Sequence, residues 1–267
     1  MNITDNERAT AQRLMKLFIY NKAKFPYANI GTQNEYLGWV TDFRLKDSSN
    51  KSIFLDLNNE NDLFLLFVLA IAWSRTGPWE NAAFLVAYLK LRNKDNFKFW
   101  NDKINYKKEQ EIRVSSAYNI SHELKGFTPR RKLSFRKDIF DSLKSLALNW
   151  NQIIEKLEIS ENRKDFKIFM KFIRNINGLG VGNKRILIKI PLVLRELRCQ
   201  KIYSNISGDL CCVPDARVLK AGKLLNIELN NVTNIDNLIY CSSKIYKLFG
   251  DLYDLPLFAY EDLKNLP

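Results

Sequence analysis

Apolar residues recur at helical spacing along most of this chain. "TDNERATAQRLMKLFIYNKAK" opens on a capping residue at Thr4 or Asp5, and Leu14, Leu17 and Phe18 then share a face. "NENDLFLLFVLAIAWSR" predicts a central helix that stops near Thr76-Gly77-Pro78, and "WENAAFLVAYLKLRN" predicts an amphipathic one after it. The run from Leu63 to Trp73 is too short to span a bilayer and reads as a buried helix. Residues 97–137 are charged and aromatic and include "KGFTPRRKLSFRK". Helical spacing returns in "DIFDSLKSLALNWNQIIEKL" and "NRKDFKIFMKFIRNI". "NKRILIKIPLVLREL" predicts a helix that kinks, or begins its regular part, near Pro191. "PDARVLKAGKLL" and "IDNLIYCSSKIYKLFGDL" follow as helices. Only between Gly38 and Leu57 does the text alternate, around the turn-rich "KDSSNKS", which predicts a short β-hairpin or an extended arm. The expected class is mainly α, and neither a repeat nor a Gly/Ser linker interrupts it.

Composition narrows the function. Hydrophobic residues make up 46%, with 17 Phe and 11 Tyr, so the chain can bury a core. The net charge of +13 fits a polyanionic partner such as nucleic acid, and also fits a soluble protein that is merely rich in lysine. Cys199, Cys211, Cys212 and Cys241 form no C-x-x-C pair, and His122 is the sole histidine, which argues against a zinc site and against catalysis by several histidines. Scattered cysteines suit a reducing cytosol. The first residues lack the apolar core of a signal peptide, so a cytoplasmic protein without a membrane segment is expected.

The densest local signal is "GLGVGNKRIL", where Gly178, Gly180 and Gly182 precede Lys184 in a chain with 10 glycines. A glycine turn that opens a helix can point N–H groups at a phosphate, helped by the helix dipole. It can equally be a tight helix-to-helix turn with no ligand. The spacing is neither that of a P-loop nor, with no strand before it, that of a dinucleotide-binding fold. Downstream, "CCVPDARVLKAGKLL" places Asp215 where a helix N-cap belongs.

Taken together, "GVGNK" (Gly180 to Lys184) and "PDARV" (Pro214 to Val218) resemble the helix-hairpin-helix DNA glycosylases, the superfamily of endonuclease III and the 8-oxoguanine glycosylases. The long spacing between Lys184 and Asp215 looks like that of the archaeal GO glycosylase branch. "LAIAWSRTGPWENAAFLVAYL" resembles a helix pair of that branch, with Trp79 at the position of an aromatic that stacks on a flipped base. The resemblance implies a single glycosylase unit over residues 1–267, made of two helical lobes with a cleft between them and a hairpin at about 172–190. It implies that Lys184 is the nucleophile, that Asp215 is the catalytic carboxylate, and that Gly178, Gly180 and Gly182 bind the DNA backbone. It allows a monovalent cation on the hairpin carbonyls and requires no other metal or cofactor. Trp79, Glu261, Lys189 and Gln33 would line the base pocket, with Tyr260 a further aromatic candidate; Trp73 and Trp150 read as core. Asn265 stands where the branch has an aromatic, and the cysteine pattern of an iron–sulfur cluster is absent.

The implied activity is that of a monomeric glycosylase/AP lyase on double-stranded DNA carrying 8-oxoguanine. Two alternatives stay open: excision of a hypermodified base, such as a glucosylated cytosine of phage DNA, in defence, or a non-catalytic DNA-binding module. An RNA-binding helical protein is a more distant reading. The chemistry asks for a lysine amine that is free at neutral pH, against a reference pKa of about 10.4. Burial beside a helix N-terminus is expected to supply it. Residues 125–137 would add phosphate contacts or simply face water.

Overall fold

The computed structural model describes residues 2–76, 79–92, 95, 98, 124–126, 137–182 and 184–264. Among these there are ten α-helices and no strand. They are α1 (Asp5–Tyr20), α2 (Glu60–Thr76), α3 (Trp79–Arg92), α4 (Lys137–Leu148), α5 (Trp150–Asn162), α6 (Lys167–Arg174), α7 (Lys184–Cys199), α8 (Ala216–Leu224), α9 (Ile235–Phe249) and α10 (Leu255–Leu263). No helix among the described residues is long and apolar enough to cross a membrane. His122, Asn183, Asn265 and residues 127–136 of the basic stretch lie outside the described residues.

The chain divides into two compact units. One holds Met1–Gly38, Ser160–Lys171 and Ile188–Pro267, and the other Trp39–Ile159 and Phe172–Leu187. One division falls between Gly38 and Trp39, and the other three fall within α5, α6 and α7.

In the second unit α2 packs on α3 and α4. Its residues from Leu63 to Ala72 are all buried, which explains why its sequence is apolar on every side. Trp150, at the start of α5, is fully buried between Phe64 and Phe67 and donates its indole N–H to Glu60 at 2.8 Å, as its reading as core requires. The segment expected to form a β-hairpin does not make strands. It turns tightly at Asp47, whose carboxylate accepts the Ser49 and Lys51 N–H groups, and its arms are joined by the isolated bridge Lys46↔Ser52 and by single backbone bonds such as Ile53 N–H to the Leu45 carbonyl at 2.9 Å. Arg44 (φ 55°) takes a left-handed conformation that interrupts the pleat, while the left-handed Asn50 (φ 64°) lies in the turn itself. The alternation still does its work, because Phe43, Leu45, Ile53 and Leu55 are buried.

In the first unit α1 packs on α9 and α10, and α8 on α10. A capping box starts α1: the Thr4 hydroxyl accepts the Glu7 N–H, and the Glu7 carboxylate accepts the Thr4 N–H. Glu7 does more than close that box. It is 4% exposed, pairs with the buried Lys244 of α9 at 2.8 Å and accepts the Glu228 N–H at 3.0 Å. The helix α7 starts at Lys184 and runs through Pro191, so its regular part does not wait for the proline.

Candidate active site

The glycine turn lies in the second unit. α6 ends at Arg174, the chain folds back over Ile176, and α7 begins at Lys184. Gly180 presses on the end of α6: a Cβ there would sit 2.3 Å from the Arg174 carbonyl oxygen and 2.4 Å from its Cα. Gly178 (φ 81°) and Gly182 (φ 70°) take a backbone conformation that side chains disfavour. The glycines are therefore required by the turn itself.

Two of the groups expected to hold phosphate are spent inside it. Gly178 N–H donates to the Val181 carbonyl at 3.0 Å and Gly180 N–H to that of Ile176 at 2.9 Å. A turn this tight satisfies its own donors first, which corrects the expectation that all three glycines face DNA. The Ser142 hydroxyl of α4 donates to the Gly178 carbonyl at 2.8 Å and that of Ser145 to the Asn177 carbonyl. A cation on these carbonyls would share them with the serines. The outer surface is basic: Lys144, Arg174, Lys184 and Arg185 are all exposed. Lys184 is itself exposed, not buried as expected. Its place as the first residue of α7 remains.

In the first unit, Asp215 caps α8. Its Oδ1 accepts the Arg217 and Val218 N–H groups at 3.0 and 3.1 Å. Its Oδ2 accepts from Lys189 Nζ at 2.6 Å, and the two side chains are 19% and 8% exposed. Lys189, expected in the base pocket, is thus the lysine in contact with Asp215. The ring of Phe258 in α10 lies beside this pair. Lys189 Nζ is 6.0 Å and the Arg217 guanidinium 4.4 Å from its centre, and Tyr27 meets it edge-on at 5.1 Å. Arg217 also pairs with Asp262.

The other expected pocket residues are placed elsewhere. Trp79 is 4% exposed and packs on Trp39 within the second unit, while Trp39 packs on Trp73. Its ring is a core element, so it would have to be uncovered to stack on a base. Glu261 is bracketed by Lys220 at 2.7 Å and Lys264 at 2.6 Å, and these two ammonium groups, Lys220 foremost, hold its carboxyl down to about 2. Gln33 is exposed at the tip of the turn that the Gly31 N–H closes onto the Glu35 carbonyl. Tyr260 is half-buried on α10.

The sequence reading passed over Phe258, and with it the buried charges Arg195, Glu196 and Asp254. Arg195 and Glu196 are fully buried although they stand side by side in α7. Tyr36 donates its hydroxyl to Glu196, and Arg195 lies against the rings of Tyr36 and Tyr253, 4.9 and 5.4 Å from their centres. The available signal was the charged "RELR" inside an otherwise apolar helix. No cluster of metal-ligating side chains occurs among the described residues. Comparison with known protein families, with curated proteins and with solved structures gave no match.

Proposed function

We propose that the chain is a DNA glycosylase with AP lyase activity, built on a helix-hairpin-helix glycosylase fold. The observation that carries this reading is the double engagement of Asp215. An N-cap uses one carboxylate oxygen. Here the second oxygen meets a lysine taken almost wholly out of water, an arrangement that a cap does not need and that costs desolvation. The exposed cations around the glycine turn that leads into Lys184 and the net charge of +13 support a DNA partner.

On this reading the Lys184 amine attacks the sugar C1′. The C1′–N bond breaks, and the base leaves with the electron pair and takes up a proton. The amine gives up a proton, the C1′–O4′ bond breaks with O4′ taking up a proton, and the resulting protonated imine lets the 2′ carbon lose a proton and expel the 3′ phosphate. Asp215 stabilises the positive charge that develops on the sugar, an effect worth several kcal/mol when preorganised. Lys189 orients that carboxylate. The target base leaves the stack at a cost of a few kcal/mol. The chain acts as a cytoplasmic monomer on double-stranded DNA without a cofactor.

The test is borohydride trapping on duplexes carrying 8-oxoguanine, an abasic site or glucosylated hydroxymethylcytosine. A covalent protein–DNA band is expected, lost in Lys184→Gln, and the duplex trapped fastest names the base. A band that survives Lys184→Gln and disappears in Lys189→Gln moves the amine to Lys189. No band on any duplex, with binding intact, removes the lyase chemistry and leaves a monofunctional glycosylase or a plain DNA-binding module.

A further inference from the structure

Asp254 is 2% exposed and stands immediately before α10, where an aspartate normally caps. Its side chain makes no cap bond. Instead, Oδ1 accepts the Val213 N–H at 2.8 Å and Arg195 Nη1 at 3.0 Å. Val213 lies two residues before Asp215, and its carbonyl accepts the Asp215 N–H at 3.0 Å. The residue before it is fixed too, since Cys212 N–H donates to the Ser242 hydroxyl at 2.9 Å. Pro214 restricts the remaining step. The approach to Asp215 is therefore pinned residue by residue, and a buried carboxylate holds its centre.

That carboxylate joins three elements. Arg195 belongs to α7, the helix that carries Lys189. Val213 belongs to the segment that carries Asp215. The Asp254 carbonyl accepts the Phe258 N–H at 2.8 Å, at the start of the helix whose ring lies beside Lys189 and Arg217. We infer that Asp254, held by Arg195, is a positioning residue that sets where the Asp215 carboxylate meets Lys189. Its importance for catalysis rests on the glycosylase reading above; the positioning itself does not.

Stability alone gives little reason for such a pair. Replacing a buried ion pair by apolar side chains of similar volume is often neutral or favourable. Burial pushes the Asp254 carboxyl above its ordinary range, while the Arg195 guanidinium and the Val213 N–H act against that push. The one backbone group this charge serves is the N–H two residues ahead of Asp215.

The test compares three variants of the full chain. Asp254→Asn keeps an acceptor for Val213. Asp254→Ala removes it. The double variant Arg195→Met with Asp254→Leu removes it while replacing the ion pair by apolar groups, so a fold is retained even where Asp254→Ala fails to give one. The first readout is the NMR signal of the Asp215 side-chain carboxyl carbon together with that of the Lys189 side-chain nitrogen. Both should move in the variants without an acceptor and stay near their wild-type positions in Asp254→Asn. Unmoved signals in the folded double variant overturn the inference, whatever the protein catalyses. The second readout is the single-turnover rate of borohydride trapping on an abasic duplex. Displacing a catalytic group by about 1 Å can cost about 100-fold. A loss of that order is expected at unchanged DNA affinity, with Asp254→Asn restoring most of it. A wild-type protein that traps nothing refutes the Schiff-base chemistry, and the NMR signals still decide the positioning.

Discussion

Substituting Asp215 by asparagine and by alanine separates the work of its two oxygens. Asparagine keeps a carbonyl oxygen where Oδ1 accepts the Arg217 and Val218 N–H groups, and takes the charge away from Lys189. Alanine removes both. Breaking a buried ion pair costs about 3–5 kcal/mol, and the 19% exposure of the Asp215 side chain moves this pair to the low end, about 3 kcal/mol. The lost cap adds roughly 1 kcal/mol. Urea unfolding at neutral pH should therefore place Asp215→Asn about 3 kcal/mol and Asp215→Ala about 4 kcal/mol below the wild type. Adding Lys189→Met to Asp215→Asn removes the stranded ammonium and should recover about 2 kcal/mol. Trapping on an abasic duplex should stay lost in that stabilised double variant, because the charge is still missing. Additive stability losses for Asp215→Asn and Lys189→Met would refute the pair. Equal losses for asparagine and alanine would refute the cap. Trapping that returns with stability would show that Asp215 serves the fold alone.

Glu7 carries a pH signature. Burial, its largest influence, acts to raise its carboxyl, yet Lys244 and the Thr4 and Glu228 N–H groups hold it at about 2 rather than 4.5. A depressed acid stabilises above its unfolded value and stops doing so as pH falls through its folded one. Its contribution of about 3 kcal/mol is thus complete well above pH 4.5 and disappears toward pH 2. The urea-measured loss caused by Glu7→Gln should shrink by about 2 kcal/mol between pH 7 and pH 3; an equal loss at both would contradict the assignment. Gly180→Ala drives a Cβ into the backbone of Arg174, which should cost about 2 kcal/mol and lower Tm by about 5 °C. A variant melting with the wild type would mean that the turn is not this tight.

Local signals explain what the sequence made legible. The cap at Thr4, the all-round burial of α2, the core position of Trp150 and the cap at Asp215 each follow from residues a few positions apart. What was not legible depends on distant neighbours. Lys184 and Lys189 are five positions apart, so they project about 140° apart around α7. Spacing puts them on different faces, and only the packing of the helix says which one is buried. Trp79 follows a Thr-Gly-Pro break, a context that suggests an accessible ring, but Trp39, forty residues earlier, covers it. The alternation around the turn marks buried and exposed positions correctly over 42–46 and 52–57, and the left-handed Arg44 still interrupts the pleat. The backbone donors of the glycine turn are used within the turn, a matter of geometry that no residue type announces.

The first unit is assembled from three separated stretches of chain, and this sets an order of events during synthesis. Every residue of the second unit has been made by Leu187. Glu7 then still waits for Glu228 and Lys244, and Tyr36 for Glu196. Helix α1 can form early, but its buried carboxylate has no cation until the ribosome has added more than two hundred further residues. Contacts that distant in sequence form slowly. Helix α1 therefore keeps an apolar face and an unmatched charge exposed until those residues have been made, a surface of the kind that chaperones bind.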